Sequence, residues 1–191
     1  MKHIKNNKAM ARSKKYKSYY IDKFMGMKCS VDMLSMGLFP NAKEITESYS
    51  GMEATKLLPE YNLNNPNITC ICVGDGHTPR TSATVCFRSA WKAICVDPLV
   101  KKLEWNVNRL TVIKDYIQNI KLTFDHPIIF LNIHSHAKLD QCLFSVSAPK
   151  IAVISMPCCV PQNLHIKPDV EYIDDNVWSP CNLIKVWYNV K

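Results

Sequence analysis

Five runs of apolar residues recur along the chain: Ile68–Val73, Trp91–Val96, Leu110–Ile113, Ile128–Ile133 and Ile151–Ser155. They are continuous rather than alternating, the pattern of strands buried on both faces, which parallel sheets covered by helices require. Between the first two, Arg80–Ser89 reads as a helix, and Asp115–Ile120 reads as a turn or short helix. Upstream, residues 44–58 carry a helical pattern with Asn41 placed to cap it, and Asn62–Asn67 (NLNNPN) is a loop by composition. The last segment differs: VEYID and NLIKVWYNV flank a turn region with Asp174, Asp175, Ser179 and Pro180, which predicts a closing antiparallel pair. The pattern therefore predicts an α/β domain, mostly parallel, with helices on both faces of the sheet.

The first strand runs into Gly74-Asp75-Gly76, a helix follows, and the second strand ends at Asp97. In an open parallel sheet, ligands gather at the carboxyl ends of the strands. Glycines there let backbone approach a ligand and adopt positive φ, and the next helix aims its amide-rich end at the site. Asp97 is where a carboxylate would accept hydrogen bonds from two ribose hydroxyls. The turn continues as His77-Thr78-Pro79-Arg80 and lacks the third glycine of a dinucleotide fingerprint. A cofactor without phosphates is thus favoured, which points to S-adenosylmethionine, with Val73, Gly74, Asp75, Gly76, Asp97 and Pro98 as its contacts.

Charge changes the picture at the beginning of the chain. Residues 1–28 hold nine Lys or Arg against one acid, Asp22, whereas the rest is balanced. Tyr16, Tyr19 and Tyr20 interleave with these charges, a combination suited to phosphates and base stacking. The expected organisation is a flexible basic arm over 1–28, a helical lead-in over 29–67 and a cofactor-binding domain over 68–191. Nucleic acid is the expected partner, RNA rather than DNA, with Lys14 and Lys15 among its contacts. The alternative for the arm is a solvated tail. Nine cysteines are present, several inside apolar runs, and no apolar signal-type segment precedes them. Reduced, buried thiols in a cytoplasmic compartment are expected, with no membrane span.

LNIHSHAKLDQCL, Leu131–Leu143, followed by IAVISMPCC, Ile151–Cys159, resembles the paired signature of a group of methyltransferase-like proteins. The group includes the Cys-His-His-Cys-type tRNA 2′-O-methyltransferases. There a His-x-Cys-Gly-x-Leu element after strand four precedes a Pro-Cys-Cys element after strand five. His134, Leu139 and Pro157-Cys158-Cys159 match, while His136 and Ala137 stand where the pattern has Cys-Gly, and Cys72 stands in place of an acid ending strand one. The resemblance implies a Rossmann-like fold and S-adenosylmethionine-dependent methyl transfer. His134 and His136 are then the expected catalytic residues, able to take a proton from a hydroxyl or ring nitrogen. Pro157 and Cys158 are expected on the substrate wall. A non-catalytic cofactor- or nucleic-acid-binding protein on the same fold is the alternative. His134, His136, Cys158 and Cys159 also offer soft metal ligands. No metal is expected, because adjacent cysteines suit one zinc poorly and paired Cys-x-x-Cys knuckles are absent. A zinc hydrolase would further need a carboxylate partner, and none lies nearby in sequence.

Overall fold

The structure is a computed structural model and describes residues 17–190. Three helices come first: α1 (Tyr19–Met25), α2 (Ser30–Ser35) and α3 (Ala42–Ala54). The α/β part begins with β1 (Thr69–Val73), α4 (Arg80–Arg88), β2 (Lys92–Val96) and β3 (Leu110–Ile113). It continues through β4 (Leu122–Thr123), β5 (Ile128–Ile133), α5 (Leu139–Phe144), β6 (Val146–Ser147) and β7 (Ile151–Met156). The last strands are β8 (Val170–Ile173) and β9 (Leu183–Trp187), and single 3₁₀ turns occur at Thr55–Leu57 and Ile117–Asn119.

Seven strands form one sheet in the order β3-β2-β1-β5-β7-β9-β8. The first five are parallel, and β9 runs antiparallel to both β7 and β8. This is the expected Rossmann-like α/β fold with an antiparallel C-terminal pair. From β1 the chain steps outward to β2 and β3, then returns to the other side of β1 as β5. The order therefore reverses between β1 and β5, where the loops diverge and leave a crevice.

All of β1 is buried, and its side chains alternate between two cores as the strand period requires. Cys70 and Cys72 join Tyr49, Met52, Ala83 and Leu131 beneath the N-terminal helices and α4. Ile71 and Val73 face the opposite layer, with Phe130, Val153, Leu139 and Cys142. All nine cysteines are thiols without a disulfide. Burial pushes the Cys86 thiol up to about 12 and Cys142 up to about 11, so these are inert packing groups.

Helix α3 begins as expected, with the Asn41 side chain accepting from the Glu44 amide at 3.1 Å. It lies flat on the sheet: a Cβ on Gly51 would stand 2.8 Å from Ile133 Cδ1 on β5.

The flexible arm expected over 1–28 needs correction in its second half. Within it, α1 buries Tyr20 and Phe24, and Tyr20 donates its hydroxyl to Asp174 Oδ2 at 2.6 Å. Ser50 on α3 donates to the same oxygen at 2.6 Å. Tyr20 is thus a core tie between α1, α3 and the β8–β9 turn, unavailable for stacking on a base. In and beside α1 the apolar residues are interspersed with Lys17, Asp22, Lys23 and Lys28, which hides their period. Residues 1–16, with Lys14, Lys15 and Tyr16, lie outside the described residues.

Candidate functional site

A cavity of about 540 Å³ opens at the carboxyl edge of the sheet, over the β1/β5 reversal. Val73, Gly74 and Gly76 from the end of β1, Val96, Asp97 and Pro98 from the end of β2, and His134 and His136 from the end of β5 all line it. Nine further residues complete the wall, among them Arg80, Leu99, Asp115, Tyr116, Ile117 and Ser135.

The glycine turn adopts the positive φ its sequence suggests, and Gly74 has a second reason to be glycine. Gly74 has φ +83°, and a Cβ there would lie 2.6 Å from Ser135 Oγ and 2.8 Å from Ser135 Cα. Its glycine is demanded by the neighbouring β5 loop as well as by the left-handed backbone. Gly76, φ +79°, donates its amide to Asp97 Oδ2 at 2.7 Å. Asp97 Oδ1 accepts from the Leu99 amide at 2.7 Å. Through these two bonds Asp97, 5% exposed, ties the β1 and β2 loops together; it also lines the cavity, and each oxygen retains capacity for a further hydrogen bond.

Asp75, expected as a cofactor contact, does not line the cavity. Its carboxylate turns inward and accepts from the Thr81 and Ser82 amides at 3.1 and 3.0 Å and from Ser82 Oγ at 2.6 Å. The N-terminal amides of α4 are therefore committed to an internal anion. A pyrophosphate would find that position already satisfied, which agrees with a cofactor free of phosphates. Arg80, in the first turn of α4, supplies the cavity with a cation; its Nε is 3.0 Å from Glu44 Oε2 and its Nη1 donates to the Asp75 carbonyl.

His134 lies at φ +53°, and both ring nitrogens are engaged. Nε2 is 2.8 Å from the Cys181 carbonyl oxygen, and Nδ1 is 3.2 Å from Glu47 Oε1. A carbonyl can only accept, so Nε2 must carry a proton, and a carboxylate faces the other nitrogen. Burial pushes the Glu47 carboxyl up, but His134 and Lys43 outweigh it and hold the group below its ordinary value. Both ring nitrogens thus face acceptor atoms of the protein. His134, expected as a general base, has both of them engaged by partners within the protein. Glu47, 87 positions upstream of His134, is the carboxylate partner that the local sequence did not offer.

His136 is exposed and lies at the cavity margin, with Nε2 3.2 Å from Cys159 Sγ. Cys159 Sγ is 3.6 Å from Cys158 Sγ, and Cys158 Sγ is 3.6 Å from the His134 carbonyl. Pro157 and Cys158, expected on the substrate wall, stand beside this cluster but do not line the cavity itself. Gln162, 1% exposed, holds the 135–137 loop in place by donating Nε2 to the carbonyls of Ser135 and Ala137 at 3.1 and 2.8 Å. No local pattern marks Gln162 or Glu47, whereas Arg80 could have been found from its place in the first turn after the glycines. Among the described residues, no helix is long and apolar enough to cross a membrane.

No family model matches the chain, and no curated protein matches it. Among solved structures it is similar to a mutant of MtNAS in complex with S-adenosylmethionine, at 12% identity and TM-score 0.45, covering 88% of this chain and 69% of that one. It is also similar to a cyclopropane-fatty-acyl-phospholipid synthase-like protein from Lactobacillus casei. That match has 12% identity and TM-score 0.40, covering 73% of this chain and 58% of that one.

Proposed function

We propose that the chain is an S-adenosylmethionine-dependent methyltransferase acting on nucleic acid, RNA rather than DNA. The observation that carries the reading is the switch-point cavity bounded by Gly74, Gly76 and Asp97, beside a helix N-terminus already closed to phosphate by Asp75. The ribose hydroxyls bind the free lone pairs of Asp97, and the adenine lies toward Leu99, Tyr116 and Ile117. The amino-acid end of the cofactor passes over the glycine turn, where Arg80 meets its carboxylate. The acceptor approaches from the His136 side. Methyl transfer is an in-line displacement, so alignment of donor and acceptor supplies most of the rate. The RNA preference is supported by the basic residues near the start of the chain.

Calorimetry with S-adenosylhomocysteine tests the cofactor reading. Asp97→Asn, which retains an acceptor for the Gly76 amide, should weaken binding roughly ten- to a hundredfold, as expected for removing a charged hydrogen-bond partner. Unchanged affinity in a folded variant removes Asp97 from the site. Transfer of labelled methyl to RNA then separates an enzyme from the second reading, a non-catalytic cofactor- or nucleic-acid-binding protein. One observation favours that second reading: His134 offers no free ring nitrogen.

A further inference from the structure

We infer that His136, Cys158 and Cys159 form a binding site for one thiophilic divalent cation of the zinc class, on the acceptor side of the cavity. The side-chain donors come from two loops that the sheet register brings level. Ile133 pairs with Met156 at the ends of β5 and β7, and His136 and Cys159 each lie three residues beyond that pair. The three donor atoms all fall within 4.8 Å of one another.

Two of the three separations lie within about 0.4 Å of the edges of a shared zinc tetrahedron. With Zn–S near 2.3 Å and Zn–N near 2.0–2.1 Å, tetrahedral edges are about 3.8 Å between two sulfurs and about 3.6 Å between sulfur and nitrogen. The separations are 3.6 Å for Cys158 Sγ to Cys159 Sγ and 3.2 Å for Cys159 Sγ to His136 Nε2. A disulfide would need about 2.05 Å. One imidazole and two thiols are the soft donor set that selects zinc over magnesium or calcium.

Adjacent cysteines suit one zinc poorly where their sulfurs diverge, but here both sulfurs lie close to His136. Three protein ligands leave a fourth tetrahedral position. His136 and Cys159 are exposed, so that position is open to water or an incoming ligand, the arrangement of a reactive rather than a purely structural site. Binding displaces one proton from each thiol to solvent, and His136 then acts as a ligand instead of a free base. The site stands independently of the cofactor reading: a chain that binds S-adenosylhomocysteine but no metal, or the reverse, separates the two.

The full chain, reduced and stripped with a chelator, is titrated with Co²⁺. One equivalent should produce thiolate-to-cobalt charge-transfer absorption and intense tetrahedral ligand-field bands, both displaced by Zn²⁺. Cys159→Ser and His136→Gln should each lower affinity at least by the roughly 100-fold that loss of an outer-shell partner can cost. A second measurement needs no variant: Zn²⁺ should slow alkylation of Cys158 and Cys159 in the wild-type chain while Cys29 reacts at an unchanged rate. Absence of the charge-transfer band at one equivalent, bands unaltered by either substitution, or equal alkylation of Cys158 and Cys159 with and without Zn²⁺ would overturn the inference.

Discussion

At the scale of single residues, the Glu47–His134 pair decides how the β5 loop is held. Glu47 is 1% exposed and reaches both His134 and Lys43. Its carboxyl titrates below its ordinary value of 4.5 in the folded chain. A group with a depressed folded pKa adds stability that is present above the unfolded value and is lost as pH falls through the folded one. Glu47→Gln should therefore destabilise the chain on the order of 3 kcal/mol at about pH 7, since one partner of a buried pair is removed. The difference from wild type should shrink as pH falls below about 4.5. Urea unfolding of both proteins across that range measures it. Parallel stability curves would show that Glu47 is not held as a carboxylate by His134. Glu47 carries no local signature. His134 could be noticed for its neighbours, but a bond across 87 positions becomes visible only when α3 is laid on β5.

Among elements, α3 shows where sequence reasoning reached and where it stopped. Its Asn41 cap and apolar spacing were legible, as were the bounds of β3 and β5 to the residue, because continuous apolar runs between polar segments have few other solutions. The two-residue strands β4 and β6, and the six- or seven-residue helices α1, α2 and α5, were not, because one or two turns hold too few residues to display a period. The distance between α3 and the sheet was equally hidden. In an exposed helix, replacing glycine by alanine stabilises by roughly 1 kcal/mol. At Gly51 the new methyl would stand 2.8 Å from Ile133 Cδ1 and 3.4 Å from Leu131 Cδ1, inside a filled core. The sign should reverse, with Gly51→Ala costing about 1–3 kcal/mol through overpacking. The midpoint of urea unfolding reads this directly, and a midpoint at or above wild type would mean that α3 stands further from β5 than described.

For the whole molecule, the question is how the basic residues near the start of the chain relate to the folded body. Of the nine Lys and Arg in residues 1–28, six precede Lys17: Lys2, Lys5, Lys8, Arg12, Lys14 and Lys15. The other three are Lys17, Lys23 and Lys28, on or beside α1, whose Tyr20 and Phe24 belong to the core. Two truncations should therefore behave differently. Removing residues 1–28 takes Phe24 and the Tyr20–Asp174 bond out of the core, and a buried aromatic alone is worth about 3–5 kcal/mol, so the product should unfold at markedly lower denaturant. Removing residues 1–16 takes away six charges and none of the described core. If those charges neutralise RNA phosphates, each neutralised phosphate contributes about 0.7 to the steepness of log affinity against log salt on a single strand. Six contacts make up to about 4 units of slope, so the shorter truncation should bind RNA more weakly at low salt and with a much flatter salt dependence. Its affinity for S-adenosylhomocysteine should be unchanged, because the cavity is built from residues 73–141. Equal salt slopes for full-length and truncated protein would assign the basic segment to solubility alone and remove the electrostatic support for a nucleic-acid acceptor, while leaving the cofactor site where it is.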